Sequence, residues 1–107
     1  MAIQYLSPEL CKDFILKNSK VQCIDIREPY EYELGNNGFI NIPMSEAVNM
    51  SNTFDVSQPT IILCKSGKRA EVVANYLLTT SGFTSIIVVL GGITAWKELI
   101  DPSIQLD

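Results

Sequence analysis

TIILCKSGKRAEVVANYLL, residues 60–78, decides the fold. It joins a compact apolar run, residues 60–63, to a stretch in which Ala70, Val73, Ala74, Leu77 and Leu78 recur at i, i+3, i+4, i+7 and i+8. The run has the length and β-branched content of a buried strand, and the recurrence is the apolar stripe of a helix facing a core. Between them lie a cysteine, Cys64, a glycine and the cations Lys65, Lys68 and Arg69, in a chain whose net charge is -4. A strand feeding a helix through so short a loop is half of a β-α-β unit.

Outward from this segment the same alternation continues. Residues 3–5 form a short edge strand, and Ser7-Pro8-Glu9 starts a helix with a hydroxyl cap, a proline in the first helical position and an acid in the first turn. That helix runs to about Lys17. Residues 21–26, VQCIDI, read as a buried strand closed by Arg27-Glu28-Pro29. Residues 29–34 suit one helical turn ending at Gly35, and Asn36-Asn37-Gly38 is a turn. Residues 39–42 form a short strand stopped by Pro43, and residues 45–50 a brief helix. Gly82 ends the long helix. Residues 85–90, SIIVVL, are so uniformly apolar that they belong in a central strand covered on both faces. A last helix, residues 94–100, follows Gly91-Gly92. Strands separated by helices predict an α/β fold: an open, mostly parallel five-stranded sheet with helices on both faces.

Length and composition narrow the function classes. A chain of 107 residues, 47% hydrophobic and 19% charged, makes one domain, residues 1–107, with a real core. The first ten residues have neither the basic nor the apolar part of a secretion signal, and no apolar run nears the roughly 20 residues that span a bilayer. A cytoplasmic protein is expected, with neither a membrane nor a nucleic acid as partner. Three cysteines, an odd number, point to free thiols, and the lack of histidine excludes most zinc sites and every histidine-dependent triad. No metal or organic cofactor is implied.

The loop at residues 64–69 is where chemistry is expected, because open α/β sheets bind ligands outside the carboxyl ends of their strands. Backbone N–H groups of residues 66–69, at a helix start, face into such a loop, and Gly67 permits the positive φ that a cradle of amides needs. The cradle and the cations favour the thiolate of Cys64 and would attract an anionic substrate. By residue type alone, a cysteine after Ile61-Ile62-Leu63 is more often a small buried hydrophobe, and the loop reverses that preference. Arg69 in the first helical turn opposes the helix dipole and calls for an anion or carboxylate beside it. Lys68 reads equally well as a solvated charge. Cys23 is core, Cys11 structural or partly exposed, and Trp96 a packing anchor.

Several separated segments together resemble the single-domain rhodanese-like sulfurtransferases. Cys64-Lys65-Ser66-Gly67-Lys68-Arg69 is similar to that family's catalytic loop, Ile24-Asp25-Ile26-Arg27-Glu28-Pro29 to its aspartate-x-arginine segment, Ile40-Asn41-Ile42-Pro43 to its asparagine-isoleucine-proline strand end, and Gly91-Gly92-Ile93-Thr94-Ala95-Trp96 to its C-terminal glycine pair and tryptophan. Ala70 stands where many members carry serine. The resemblance implies that Cys64 takes sulfane sulfur from thiosulfate or a similar small anionic donor and passes it, as a persulfide, to cyanide or a thiol, including a protein thiol. Lys65, Ser66, Gly67, Lys68 and Arg69 would form the anion-binding loop. Asp25 and Arg27 would act as a supporting framework, with Arg27 paired to Glu31 or Glu33. A sulfur carrier or docking module without turnover is the alternative. Phosphatase or arsenate-reductase chemistry is a weaker rival, because related loops of that kind have one more residue between cysteine and arginine, whereas four intervene here.

Overall fold

Five of the apolar runs become strands of one sheet: β1 (Gln4–Leu6), β2 (Gln22–Asp25), β3 (Ile40–Asn41), β4 (Thr60–Leu63) and β5 (Ile86–Val89). Their order across the sheet is β1-β5-β4-β2-β3, and every adjacent pair is parallel. The computed structural model describes residues 3–107, so the first two residues of the expected domain lie outside the described part. The helices are α1 (Pro8–Lys17), α2 (Pro29–Leu34), a 3-10 helix (Met44–Asn52), α3 (Lys68–Thr79) and α4 (Gly92–Leu99).

The central strands β4 and β5 are buried at every position, which is why their sequences are apolar without alternation. Successive side chains still point to opposite faces. Ile62 and Cys64 join Ile24, Val73, Ala74, Leu77 and Phe83 beneath α3 and the 3-10 helix. Ile61 and Leu63 join Cys11, Ile87, Ile93 and Trp96 beneath α1 and α4. Each such aliphatic side chain removed from water stabilises the fold by about 1.5–3 kcal/mol before ordering costs are counted. Trp96 is a packing anchor whose ring meets Phe39 edge-on, with centroids 5.5 Å apart.

Local differences from the sequence reading have identifiable causes. Residues 45–50 lie within a nine-residue 3-10 helix rather than an α-turn. The last helix begins two residues earlier than its apolar pattern, since Gly91 caps it at φ 74° and Gly92, at φ 59°, starts it. Helix α3 ends at Thr79, and Gly82 serves the turn beyond it. Gly35 ends α2 in extended backbone, not in the left-handed conformation. Its lack of a side chain serves packing: a Cβ there would collide with the backbone of Gln105. Cys11 is fully buried, and Cys23 only half-buried. β3 pairs with β2 only at Ile24 and Asp25, so no strand covers the outer side of Cys23.

Candidate functional site

Cys64 follows the last residue of β4, and its sulfur accepts hydrogen bonds from the N–H of Gly67 at 3.0 Å and of Ala70 at 3.4 Å. Gly67 is the N-cap of α3, at φ 106°, and has no side chain with which to cap. The Cys64 sulfur therefore takes the amide of the third helical residue, a position that serine or aspartate fills in ordinary helices. Ala70 lies one residue beyond the arc of amides at 66–69 drawn from sequence, and of that arc it is Gly67 that bonds to the sulfur. The amides of Lys68 and Arg69 open the helix, where no intrahelical acceptor exists. Ser66 is exposed beside them.

The other end of the loop is held from behind. The N–H of Ile93 donates to the carbonyl of Cys64 at 2.8 Å, and the N–H and hydroxyl of Thr94 donate to the carbonyl of Lys65 at 3.2 and 3.1 Å. This needs the backbone of α4 against the loop, which Gly92 permits: a Cβ on it would collide with both of those carbonyls. Gly92 and Thr94 are supporting residues that sequence reasoning missed. Their signal was the glycine pair, which periodicity alone reads as a helix boundary.

Two of the three loop cations are paired. Arg69 makes a two-pronged contact with Glu31, at 2.9 and 3.0 Å, and Glu31 also accepts the Glu28 N–H as part of the α2 capping box. The bond to Arg69, helped by that N–H and by Arg27, holds the Glu31 carboxyl below the usual carboxylate range. The same bond raises Arg69, with smaller contributions from Cys64 and Asp25. Lys65 pairs with Asp107 at 3.2 Å. Lys68 is exposed and, among the described residues, has no carboxylate within ion-pair distance.

The pairing drawn for Arg27 is corrected: its partner is neither Glu31 nor Glu33 but Asp25. Both are buried, with a 2.9 Å contact between Nη2 and Oδ2 and Nε within 3.1 Å of both carboxylate oxygens. The guanidinium also donates to the carbonyls of Gly35 and Glu31, so it ties α2 to the end of β2. The Glu31 carboxylate is committed to Arg69, which leaves Asp25, two residues before Arg27, as the carboxylate that pairs with it. Asp25 lies opposite Leu63 in the sheet, immediately before Cys64.

The remaining thiols have a different character. Burial pushes Cys11 up to about 12, with a smaller contribution from Cys23, and burial pushes Cys23 up to about 11. Among the described residues neither sulfur accepts a bond from a helix-start amide; Cys11, although in the first turn of α1, instead points its thiol at the Leu6 carbonyl, 3.6 Å away. A groove of about 180 Å³ runs beside the loop, between Gly67, Lys68 and Glu71 on one wall and Tyr5, Val88 and Leu90 on the other. The Tyr5 hydroxyl donates to Glu71 there.

Known proteins share both the sequence and the shape. Residues 7–99 match the model of the Rhodanese-like domain. Over 90 residues the chain is 37% identical to Rhodanese-like/PpiC domain-containing protein 12, chloroplastic, of Arabidopsis thaliana, covering 79% of this chain and 30% of that protein. It is 31% identical to Thiosulfate sulfurtransferase GlpE of Pseudoalteromonas translucida (strain TAC 125), covering 85% and 87%. It spans about half or less of several curated relatives. The crystal structure of a rhodanese-related protein from Thermoplasma volcanium superposes with a TM-score of 0.78 at 26% identity, covering 97% of this chain and 99% of the other. The match over most of the chain, carried by a parallel sheet with a cysteine loop at its carboxyl edge, makes this protein a member of the Rhodanese-like domain family.

Proposed function

We propose that the chain is a sulfurtransferase that works through a persulfide on Cys64. The observation that carries this is the sulfur's position at the start of α3, bonded to the amides of Gly67 and Ala70. Relatives named as sulfurtransferases support the same reading. The Cys64 thiolate attacks the outer sulfur of thiosulfate; an S–S bond forms to Cys64, the bond to the sulfonate sulfur breaks, and sulfite leaves with the electron pair. Cyanide or a thiolate then attacks the outer sulfur of the persulfide, and Cys64 departs as the thiolate. The amides of Lys68 and Arg69 are available to the outer sulfur, and a large diffuse anion is stabilised by several preorganised donors better than by one. Lys65, Ser66, Gly67, Lys68 and Arg69 are the loop, and Asp25 and Arg27 hold the segment beneath it.

One domain over residues 1–107 carries this activity in a reducing, cytoplasmic compartment, consistent with its free thiols. The acceptor is cyanide or a thiol, including a protein thiol. The test is a steady-state assay with thiosulfate and cyanide, paired with intact-mass analysis. Thiocyanate produced over many cycles supports an enzyme. One added sulfur on Cys64 without turnover supports the carrier alternative instead, and the absence of both thiocyanate and the adduct overturns the persulfide reading.

A further inference from the structure

Two of the three loop cations are matched by carboxylates: Arg69 by Glu31 and Lys65 by Asp107. The third, Lys68, borders the groove that also holds Glu71. The loop that looks strongly cationic in sequence is close to charge balance in the fold. Asp107 is the least expected of these partners, since it lies 42 residues from Lys65.

It is brought there by an anchored segment. Asp101 accepts the N–H of Ser103 at 3.1 Å and of Ile104 at 3.2 Å, which forms a turn after α4. Ile104 is then buried, Leu106 packs on the same apolar cluster, and the backbone of Gln105 lies against Gly35. Residues up to 106 are thus fixed by packing, so little chain freedom is lost when Asp107 meets Lys65. The pair is half exposed on both sides and is screened by salt.

We infer that Asp107 is a specificity-determining residue that acts through Lys65: it weakens the loop's attraction for doubly charged donors and biases Cys64 toward singly charged or neutral ones, such as organic persulfides. This deepens the sulfur-transfer reading and rests on it. Lys65 follows Cys64 directly in the chain, and a thiosulfate dianion drawn to its ammonium must compete with Asp107 for it. An organic persulfide, R–S–SH, has no such need. The Cys64 thiolate forms a bond to its outer sulfur, the original S–S bond breaks, and the thiolate R–S⁻ leaves with the electron pair, the proton staying on the transferred sulfur until it is lost to water.

The electrostatic part can be read without any sulfur transfer, by alkylating Cys64 with iodoacetate, an anion, and with iodoacetamide, its neutral analogue. In each case the sulfur displaces iodide, and peptide mapping identifies the thiol. Asp107→Asn is expected to raise the iodoacetate-to-iodoacetamide rate ratio at Cys64 by about 2- to 5-fold at low salt, the size of an exposed ion pair's effect. The increase should vanish in about 1 M salt, where the screening length falls to about 3 Å. Asp107→Glu should retain the wild-type ratio, and Asp107→Asn placed on Lys65→Met should change it little. In parallel, kcat/KM for thiosulfate should rise in Asp107→Asn relative to that for an organic persulfide. An unchanged ratio at low salt overturns the inference, as does an equal rise on the Lys65→Met background or a Cys64 that reacts with neither reagent. A chain that shows the charge bias but accepts no sulfur from either donor sinks the sulfur-transfer reading and leaves the electrostatic role standing.

Discussion

Three cysteines in one small protein differ by environment alone. Cys64 caps a helix with its sulfur, whereas burial holds Cys11 and Cys23 at about 12 and about 11, well above the ordinary thiol value. At pH 7–8 both are therefore protonated, and their reactivity should rise with pH. Mass mapping after thiosulfate treatment at pH 7.5 should find one added sulfur, on Cys64. Cys64→Ser should lose both the adduct and turnover, and Cys11→Ala and Cys23→Ala should keep them. Sulfur found mainly on Cys11 or Cys23 would show that the wrong thiol had been chosen. The nucleophile was legible from its neighbours in sequence, because a strand end, a glycine and a helix start are local signals. The exposure of Cys11 and Cys23 was not, since it depends on which strand lies alongside and how far that strand extends.

Helices α2 and α3 are joined by the Glu31 to Arg69 contact, which reaches from the α2 capping box to the loop. Glu31→Gln leaves a partly buried guanidinium without its carboxylate and should cost about 1–3 kcal/mol in urea unfolding. The carboxyl titrates low in the folded state, so its contribution is complete above its unfolded value of about 4.3 and is lost as pH falls through the lower folded value. Glu31→Gln should accordingly remove part of the acid-induced loss of stability expected of the wild type below about pH 4.5. A steeper acid slope in the variant would contradict this assignment. The loop makes its own prediction. One residue inserted between Ser66 and Gly67 should move Gly67 and Ala70 off the sulfur and lower sulfurtransferase turnover at least tenfold, measured with thiosulfate and cyanide, and the native chain should hydrolyse aryl phosphates barely or not at all. Strand and helix identities were readable because period and β-branching are local. Sequence also showed that Arg69 called for an anion or a carboxylate, but only the packed α2 decides that a carboxylate fills the place and that Glu31, not Glu28 or Glu33, supplies it.

At the scale of the molecule, the sheet order places β4 between β5 and β2, so Cys64 emerges where α3, α4 and the Asp25 to Arg27 segment converge. The α/β class and both covered faces followed from the apolar strands. The course of residues 101–107 did not, since its anchors are a turn at Asp101, the separated apolar residues Ile104 and Leu106, a backbone contact at Gly35 and one surface ion pair, none of which forms a period. Gly92→Ala should show how far the site depends on this assembly. It combines an unfavourable φ with collisions against the Cys64 and Lys65 carbonyls, and should reduce turnover more than tenfold while leaving the Cys64 side chain chemically intact. Full activity in that variant would remove α4 from the account. The attachment of those carbonyls to Ile93 and Thr94 also gives the loop two sides that deuterium can tell apart. The Ile93 and Thr94 amides report whether the loop stays seated and should exchange equally slowly in thiol and persulfide forms, whereas the Gly67 and Ala70 amides face the sulfur and should change their exchange rates each time it is loaded.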